Sequence, residues 1–68
     1  LFLKIFNFES YTDIDFHLQK FNDKYKYTSE KNGSLYDLII GPLDKAEINK
    51  LVPYFISKGY KETDIILK

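Results

Sequence analysis

The residues that could do chemistry lie close together near the start of this 68-residue sequence. Glu9, Asp13 and Asp15 could be paired carboxylates for glycoside hydrolysis, and His17 is the only histidine. Acidic residues are, however, expected in the first turn of a helix because they interact favourably with its dipole. We therefore interpret the carboxylates as helix-capping residues. Because a single histidine lacks partners for a metal or acid–base site, we interpret His17 as a solvated helix position.

The rest of the sequence lacks the patterns that accompany catalysis. It contains no cysteine, so neither a disulfide nor a cysteine metal ligand is available. It has no glycine-rich phosphate loop and no nucleophile with a base at hand. The sequence therefore predicts no catalytic residues, no metal site and no cofactor, and we do not expect this domain to be an enzyme.

Aromatic residues suggest a binding surface instead. The six tyrosines and six phenylalanines exceed what the core of so small a domain needs. Some should therefore lie on the surface, where exposed apolar side chains often bind partners. The segment Leu1–Phe8 alternates in the manner of a strand. Alternation places Leu1, Leu3 and Ile5 on one face of this strand, and Phe2, Lys4 and Phe6 on the other.

The segment Ser34–Leu43 predicts an inner strand that ends in a hard turn. Its apolar residues are β-formers. Gly41-Pro42 ends the strand's hydrogen bonding with its neighbours, because proline removes a backbone donor and fixes φ. Before the strand, Asn32-Gly33 predicts a type I′ hairpin turn, because both residue types tolerate positive φ. The strand should therefore form a hairpin with the strand before it.

Alternation along this inner strand completes the predicted surface. If Leu38 and Ile40 face the helices, then Asp37 and Ile39 face away from them. Because the first strand should be its neighbour, Asp37 and Ile39 would join the exposed side of that strand in one patch. Such a patch combines flat apolar faces with a few polar groups, which is the usual composition of a small-ligand site.

The remaining elements follow from helical periodicity and turn signals. They are a helix at Asp13–Asp23, a polar edge strand at Tyr25–Glu30, a helix at Lys45–Lys58 and a strand at Tyr60–Leu67. Either Ser10 or Thr12 is the N-cap of the first helix. In the second helix, we expect a kink near Asn49 or a break at Val52, because an interior proline such as Pro53 costs about 3 kcal/mol.

The resulting order, β-α-β-β-α-β, predicts an α+β protein with a ferredoxin-like (RNP-like) fold. In that fold a four-stranded antiparallel sheet carries both helices on one face, and the first and third strands are the inner pair. A chain of this length forms a single domain, here residues 1–68. Because the sequence begins in mid-strand without an initiating methionine, we expect it to come from a longer protein.

Charge and hydropathy exclude two classes of partner. Ten acidic and ten basic residues give a formal net charge of zero. The protein therefore has no net positive charge to attract the phosphates of nucleic acid. No apolar run approaches the roughly 18 residues needed to span a bilayer. We therefore predict no nucleic-acid partner and no membrane insertion by this segment.

The sequence resembles a SPOR domain, the peptidoglycan-binding module of bacterial division and cell-wall proteins. SPOR domains have this length and element order, and their third strand reads as a tyrosine, alternating apolar residues and Gly-Pro, as in Tyr36–Leu43. The family's second helix ends at a Gly-Tyr-like pair, matched by Gly59-Tyr60. Lys4 stands where the family usually has glutamine, and Phe6 stands where it has glycine.

The resemblance implies a function and a site. SPOR domains bind glycan strands stripped of stem peptides, using the sheet face opposite the helices. The resemblance thus implies a non-catalytic module that directs a larger envelope protein to the septum. That larger protein could be a cell-wall hydrolase. Other division proteins are possible partners, and the expected location is the bacterial periplasm or cell envelope. The glycan-binding residues implied here are Phe2, Lys4, Phe6, Asn7, Asp37 and Ile39.

Other interpretations stay open at this point. Lys4 and Asp37 could form a cross-strand ion pair, and Phe2 and Phe6 could pack under a partner domain. Tyrosines in the second and third strands are interpreted as packing residues rather than ligand contacts. The alternative functions are a ferredoxin-like protein-interaction or regulatory domain and, less in keeping with the zero net charge, RNA binding of the RRM type.

Overall fold

The structure, a computed structural model, describes residues 1–67. Its elements follow the predicted order β-α-β-β-α-β. They are β1 (Phe2–Phe8), α1 (Tyr11–Gln19), β2 (Tyr27–Asn32), β3 (Leu35–Ile40), α2 (Lys45–Ser57) and β4 (Thr63–Ile66). The four strands form one sheet in the order β2-β3-β1-β4, with every neighbouring pair antiparallel. The protein is therefore α+β, and its architecture is compatible with a ferredoxin-like fold.

The core lies between one face of the sheet and the two helices. The inner strands β1 and β3 contribute Leu3, Ile5, Leu38 and Ile40, which are fully buried. The helices contribute Ile14, Leu18, Ile48, Leu51 and Phe55 to the same cluster. Because residues of both helices pack with one set of strand residues, both helices cover the same face. We call the opposite face of the sheet the open face.

A β-bulge at the end of β1 changes which residues reach the core. The pairing of β1 with β3 shifts register between Ile5 and Phe8, and Asn7 adopts a left-handed conformation with φ of 72°. A bulge inserts one residue and turns the next side chain to the other face. Phe8 is consequently buried in the core and stacks on Tyr60, with ring centroids 4.2 Å apart.

The first helix is shorter than the sequence predicts. Ser10 is its N-cap, and the Ser10 hydroxyl accepts a hydrogen bond from the Asp13 backbone N–H at 3.2 Å. The helix ends at Gln19 rather than at Asp23. The chain leaves it through turns in which Asn22 and Asp23 are left-handed, with φ of 56° and 54°. Asparagine and aspartate tolerate this conformation better than most residues, so the pair can turn the chain after the helix.

The second helix runs unbroken through Pro53, so the predicted break at Val52 is wrong, while the alternative of a kink near Asn49 stays a prediction. A capping box closes its N-terminus. The Asp44 carboxyl accepts from the Glu47 N–H at 2.8 Å, and the Glu47 carboxyl accepts from the Asp44 N–H at 3.1 Å. Buried apolar residues along the helix add to this cap, and together they offset the local cost of a proline.

The C-terminus of α2 is closed by a Schellman motif. The Tyr60 N–H donates to the Phe55 carbonyl at 2.9 Å, and the Gly59 N–H donates to the Ile56 carbonyl at 3.0 Å. Gly59 has φ of 99°, a conformation that favours glycine. The motif also brings the Tyr60 ring back onto Phe55, so the helix end and the core are fixed together.

The hairpin between β2 and β3 is displaced by one residue from its predicted position. Asn32 pairs with Leu35 inside the ladder, and the two loop residues are Gly33 and Ser34. Gly33 has φ of 66°, whereas Ser34 has no positive φ. The prediction of a type I′ turn centred on Asn32-Gly33 is therefore wrong. Placing glycine first in the loop leaves the Asn32 side chain free to reach the open face.

Candidate functional site

The open face carries the side chains of five residues predicted for the site. They are Phe2, Lys4, Phe6, Asp37 and Ile39. Lys4 pairs directly with Ile39 across the two inner strands, and alternation places the others on the same side. The sixth predicted residue, Asn7, occupies the bulge at the margin of this face. Its side-chain amide donates to the Glu62 carboxylate at 2.9 Å.

Lys4 lies at the centre of the open face and is held from three sides. Its ammonium nitrogen is 3.9 Å from the Asp37 carboxylate and 3.7 Å from that of Glu30. The same nitrogen lies 5.0 Å from the centroid of the Phe6 ring, within the range of a cation–π contact. The ion pair between Lys4 and Asp37, one of the interpretations left open by the sequence, is thus present.

Asp37 is a buried carboxylate, with only 3% of the residue exposed. One carboxylate oxygen accepts from the Asn7 backbone N–H at 3.3 Å, and the other accepts from the Asn32 side-chain amide at 3.4 Å. A buried charge is stable only when it is paired and hydrogen-bonded. Asp37 therefore connects β1, β2 and β3, and it positions Lys4 from below the surface.

The apolar end of the open face is a groove of about 670 Å³. Phe2 and Ile39 line one part of it, and Pro42 and Tyr27 line another. Phe2 lies directly over Gly41, because a Cβ atom at Gly41 would approach the Phe2 ring to 2.6 Å. The absence of a side chain at Gly41 therefore gives the ring its place in the groove.

The other end of the open face leads into a second groove, of about 450 Å³. Phe6 and Asn7 belong to its lining, together with the loop that follows α2. The remaining lining residues are Glu9, Asp13, Lys58, Gly59, Tyr60, Lys61 and Glu62. This groove is charged, whereas the one beside Phe2 is mainly apolar, so the two ends of the face differ in character.

His17 is buried rather than solvated, which corrects the sequence interpretation. Only 8% of the residue is exposed, and its Nδ1 atom is 2.9 Å from the Tyr54 hydroxyl. Aromatic rings surround it, from Phe8, Phe16, Tyr54, Phe55 and Tyr60. Ile14, His17 and Leu18 follow the i, i+3, i+4 spacing of a buried stripe, and this signal could have revealed its position.

The surroundings of His17 favour its neutral form. Burial lowers the pKa of the imidazole below its ordinary value of 6.5, and the positive charges of Lys58 and Lys20 lower the pKa further. The carboxylate of Asp13 acts in the opposite direction. His17 is therefore a core residue. It connects the two helices through its contact with Tyr54, and its role is structural.

Of the carboxylates considered for glycoside chemistry, that of Asp15 has a specific hydrogen-bond partner. Asp15 accepts a hydrogen bond from the Tyr27 hydroxyl at 2.6 Å, and this bond raises the pKa of Tyr27. Asp13 lies in the first turn of α1, where its charge complements the helix dipole. Within residues 1–67, no three histidine or acidic side chains come together in a way that could hold a metal ion.

The tyrosines of β2 and β3 differ in their surroundings. Tyr36 is partly buried on the helix side of the sheet and meets the Tyr11 ring, with centroids 4.2 Å apart. This contact supports its interpretation as a packing residue. Tyr27 pairs with Ile40, which places it on the helix side as well, although its ring stays exposed at the margin of the groove beside Phe2.

Comparison of the chain with protein-family models, curated proteins and solved structures finds no match. None of the helices in the described part of the chain is long and apolar enough to cross a membrane.

Proposed function

We propose that this chain is a non-catalytic glycan-binding module of the SPOR type, with a ferredoxin-like fold. The observation that carries the proposal is the composition of the open face. Phe2 and Phe6 are partly exposed there, on either side of the polar centre formed by Lys4 and Asp37. Sugar rings present apolar C–H faces and hydroxyl groups in alternation, and this face offers aromatic and polar groups in alternation.

Preorganisation supports this proposal. Rigid polar groups bind a ligand without an additional cost for ordering them. Lys4 is restrained by Glu30, Asp37 and Phe6, so its remaining hydrogen-bonding capacity is directed out of the sheet. Because the Asp37 carboxyl is buried, we assign it the role of positioning Lys4, while Phe2, Phe6 and Ile39 supply the contact surface.

In this proposal the ligand is peptidoglycan stripped of its stem peptides, and the module directs a larger bacterial envelope protein to the division septum. The support for this ligand is the resemblance carried by Tyr36–Leu43 and Gly59-Tyr60 together with the open aromatic face. The polar centre would bind hydroxyl and N-acetyl groups, and the apolar groove beside Phe2 has a volume typical of small-ligand sites.

Co-sedimentation with purified sacculi tests the proposal. We expect the protein to pellet with sacculi, and to pellet more strongly after an amidase has removed the stem peptides. Phe6→Ala should reduce pelleting. Phe16→Ala is the matched control, because Phe16 is an exposed phenylalanine on the helix side of the molecule. Absence of pelleting with both preparations, or equal loss in the two variants, would contradict the proposal.

A second candidate function, protein interaction, is favoured by a different part of the molecule. The strand β4 is an edge of the sheet, and no strand within residues 1–67 pairs with its outer side. Ile65 and Leu67 are exposed there, by 54% and 82%. An edge strand with exposed apolar residues can pair with a strand of a partner. Binding that is lost in Ile65→Lys but kept in Phe6→Ala would favour this alternative.

A further inference from the structure

Asn32 connects the polar centre of the open face to the loop between β2 and β3. Its side-chain amide donates to the buried carboxylate of Asp37 at 3.4 Å. Asn32 itself is exposed, and so are the two loop residues that follow it, Gly33 and Ser34. An amide that helps to stabilise a buried charge therefore lies next to a loop that is open to water.

The residue after Asn32 permits a reaction of this amide. When glycine follows asparagine, the backbone nitrogen of the glycine can attack the side-chain carbonyl carbon, because no side chain shields that nitrogen. A Cβ atom at Gly33 would meet nothing within 4 Å beyond its chain neighbours, so the loop is uncrowded. The Gly33 N–H donates no hydrogen bond within residues 1–67, so no such bond opposes the attack.

We propose that Asn32 is a deamidation site, and that its conversion to a carboxylate disrupts the polar centre of the open face. The Gly33 nitrogen forms a bond to the Asn32 Cγ atom, and the bond between Cγ and Nδ2 breaks. Ammonia leaves with the proton of the Gly33 nitrogen. Water then opens the resulting succinimide ring at either of its carbonyl groups. The products are aspartate and isoaspartate, and neither an oxidant nor a reductant takes part.

The fold controls the rate of this reaction. Asn32 forms the last pair of the ladder, with Leu35. Ring closure requires a backbone conformation different from that of a strand, so this pair must open first. The end of a hairpin opens more readily than the core strands of a sheet, since local stability is lowest where little is buried. Deamidation should therefore proceed slowly in the folded protein and faster in the unfolded chain.

Neither product can replace the amide of Asn32. A carboxylate has no N–H to donate, and it would place a second negative charge beside Asp37, which is only 3% exposed. Like charges at such a distance repel, and a buried carboxylate is stable only when it is paired and hydrogen-bonded. Isoaspartate also adds one carbon atom to the backbone, which disturbs the pairing with Leu35. Conversion should therefore destabilise the hairpin together with the polar centre.

Incubation of the purified protein at mildly alkaline pH, followed by peptide mapping with mass spectrometry, tests the site. The map detects the gain in mass as an amide becomes an acid. Asn7, Asn22 and Asn49 are internal controls, because phenylalanine, aspartate and lysine follow them in the sequence. We expect the product to accumulate fastest at Asn32, and faster still in denaturant. Equal accumulation at all four asparagines, or none at Asn32, would overturn the proposal.

The variant Asn32→Asp imitates one product and tests its consequence. We expect a lower denaturation midpoint and roughly fivefold weaker glycan binding, which is about the effect of one charge pair near a surface. Asn49→Asp is the matched control, because Asn49 is an exposed asparagine of α2. An unchanged midpoint in Asn32→Asp would overturn the inference. Only the effect on binding rests on the proposed function. A lower midpoint in a protein whose unmodified form binds no glycan would therefore support the inference and contradict that function.

Discussion

The backbone N–H of Asn7 donates to the carboxylate of Asp37 at 3.3 Å. This bond connects the bulge of β1 to a buried charge on β3. It is possible because Asn7 adopts a left-handed conformation that breaks the regular ladder. The same bulge turns Phe8 into the core, so one local irregularity completes the packing on one face and fixes the polar centre on the other.

Removal of the Asp37 carboxyl should destabilise the fold. In Asp37→Ala the Asn7 N–H loses its acceptor and Lys4 loses its buried counterion. We expect the free energy of unfolding to fall by about 1–3 kcal/mol, the usual cost of leaving such groups unpaired. Chemical denaturation measures the change, and Asp37→Asn is the control because it keeps an oxygen acceptor. An unaltered denaturation midpoint in Asp37→Ala would show that the carboxylate has no structural role.

Addition of a methyl group at Gly41 should displace Phe2. The new Cβ atom would lie 2.6 Å from the Phe2 ring, so Gly41→Ala should lower the free energy of unfolding by about 1–3 kcal/mol through overpacking. In a Phe2→Ala background the smaller side chain removes the clash. Gly41→Ala should therefore cost less free energy of unfolding there than it costs in the wild type. Comparison of the single and double variants by thermal or chemical unfolding tests this coupling. Strictly additive effects would show that the ring and the glycine do not interact.

Stability should decrease below neutral pH because of His17. The folded state lowers the pKa of His17, so the unfolded state binds the proton more readily. The stabilising contribution is complete above the unfolded pKa of 6.5, and it is lost as the pH falls from there toward the folded pKa. Unfolding by denaturant at a series of pH values measures this loss.

Two variants of this cluster make the pH experiment decisive. His17→Gln should remove the component of the pH dependence that begins near the ordinary histidine pKa of about 6.5. Tyr54→Phe removes the hydroxyl that contacts Nδ1 but keeps the burial, so it should retain an acid-sensitive component. An identical pH profile in wild type and His17→Gln would assign the acid sensitivity to other groups.

The sequence predicts the order of elements well because alternation and turn residues are local signals. The faces of β3 follow directly from the alternation of its residues before the Gly-Pro turn. The errors arise where tertiary contacts decide. The bulge at Asn7 reverses the alternation of β1 for Phe8, and packing of the helix interior overrides the cost of Pro53. The hairpin loop lies one residue later than predicted, because Asn32 pairs with Leu35 within the two strands.

The candidate site is predicted in outline but not in its polar detail. Alternation identifies Phe2, Lys4 and Phe6 on one face, since it depends only on spacing. The role of Asp37 could not be predicted, because its burial depends on Asn7 and Asn32, which approach it from two other strands. The burial of His17 could be predicted from its spacing with Ile14 and Leu18, but its partner Tyr54 could not, since it lies 37 residues away in the sequence.

The central claim, that the open face binds glycan, is tested most directly by NMR. Isotope-labelled protein would be titrated with glycan strands released from sacculi and freed of stem peptides. We predict that the largest chemical-shift changes occur at Phe2, Phe6 and Ile39, while α1 and the exposed side of α2 stay unchanged. Changes confined to the helices or to β4, or no changes at any glycan concentration, would contradict the account.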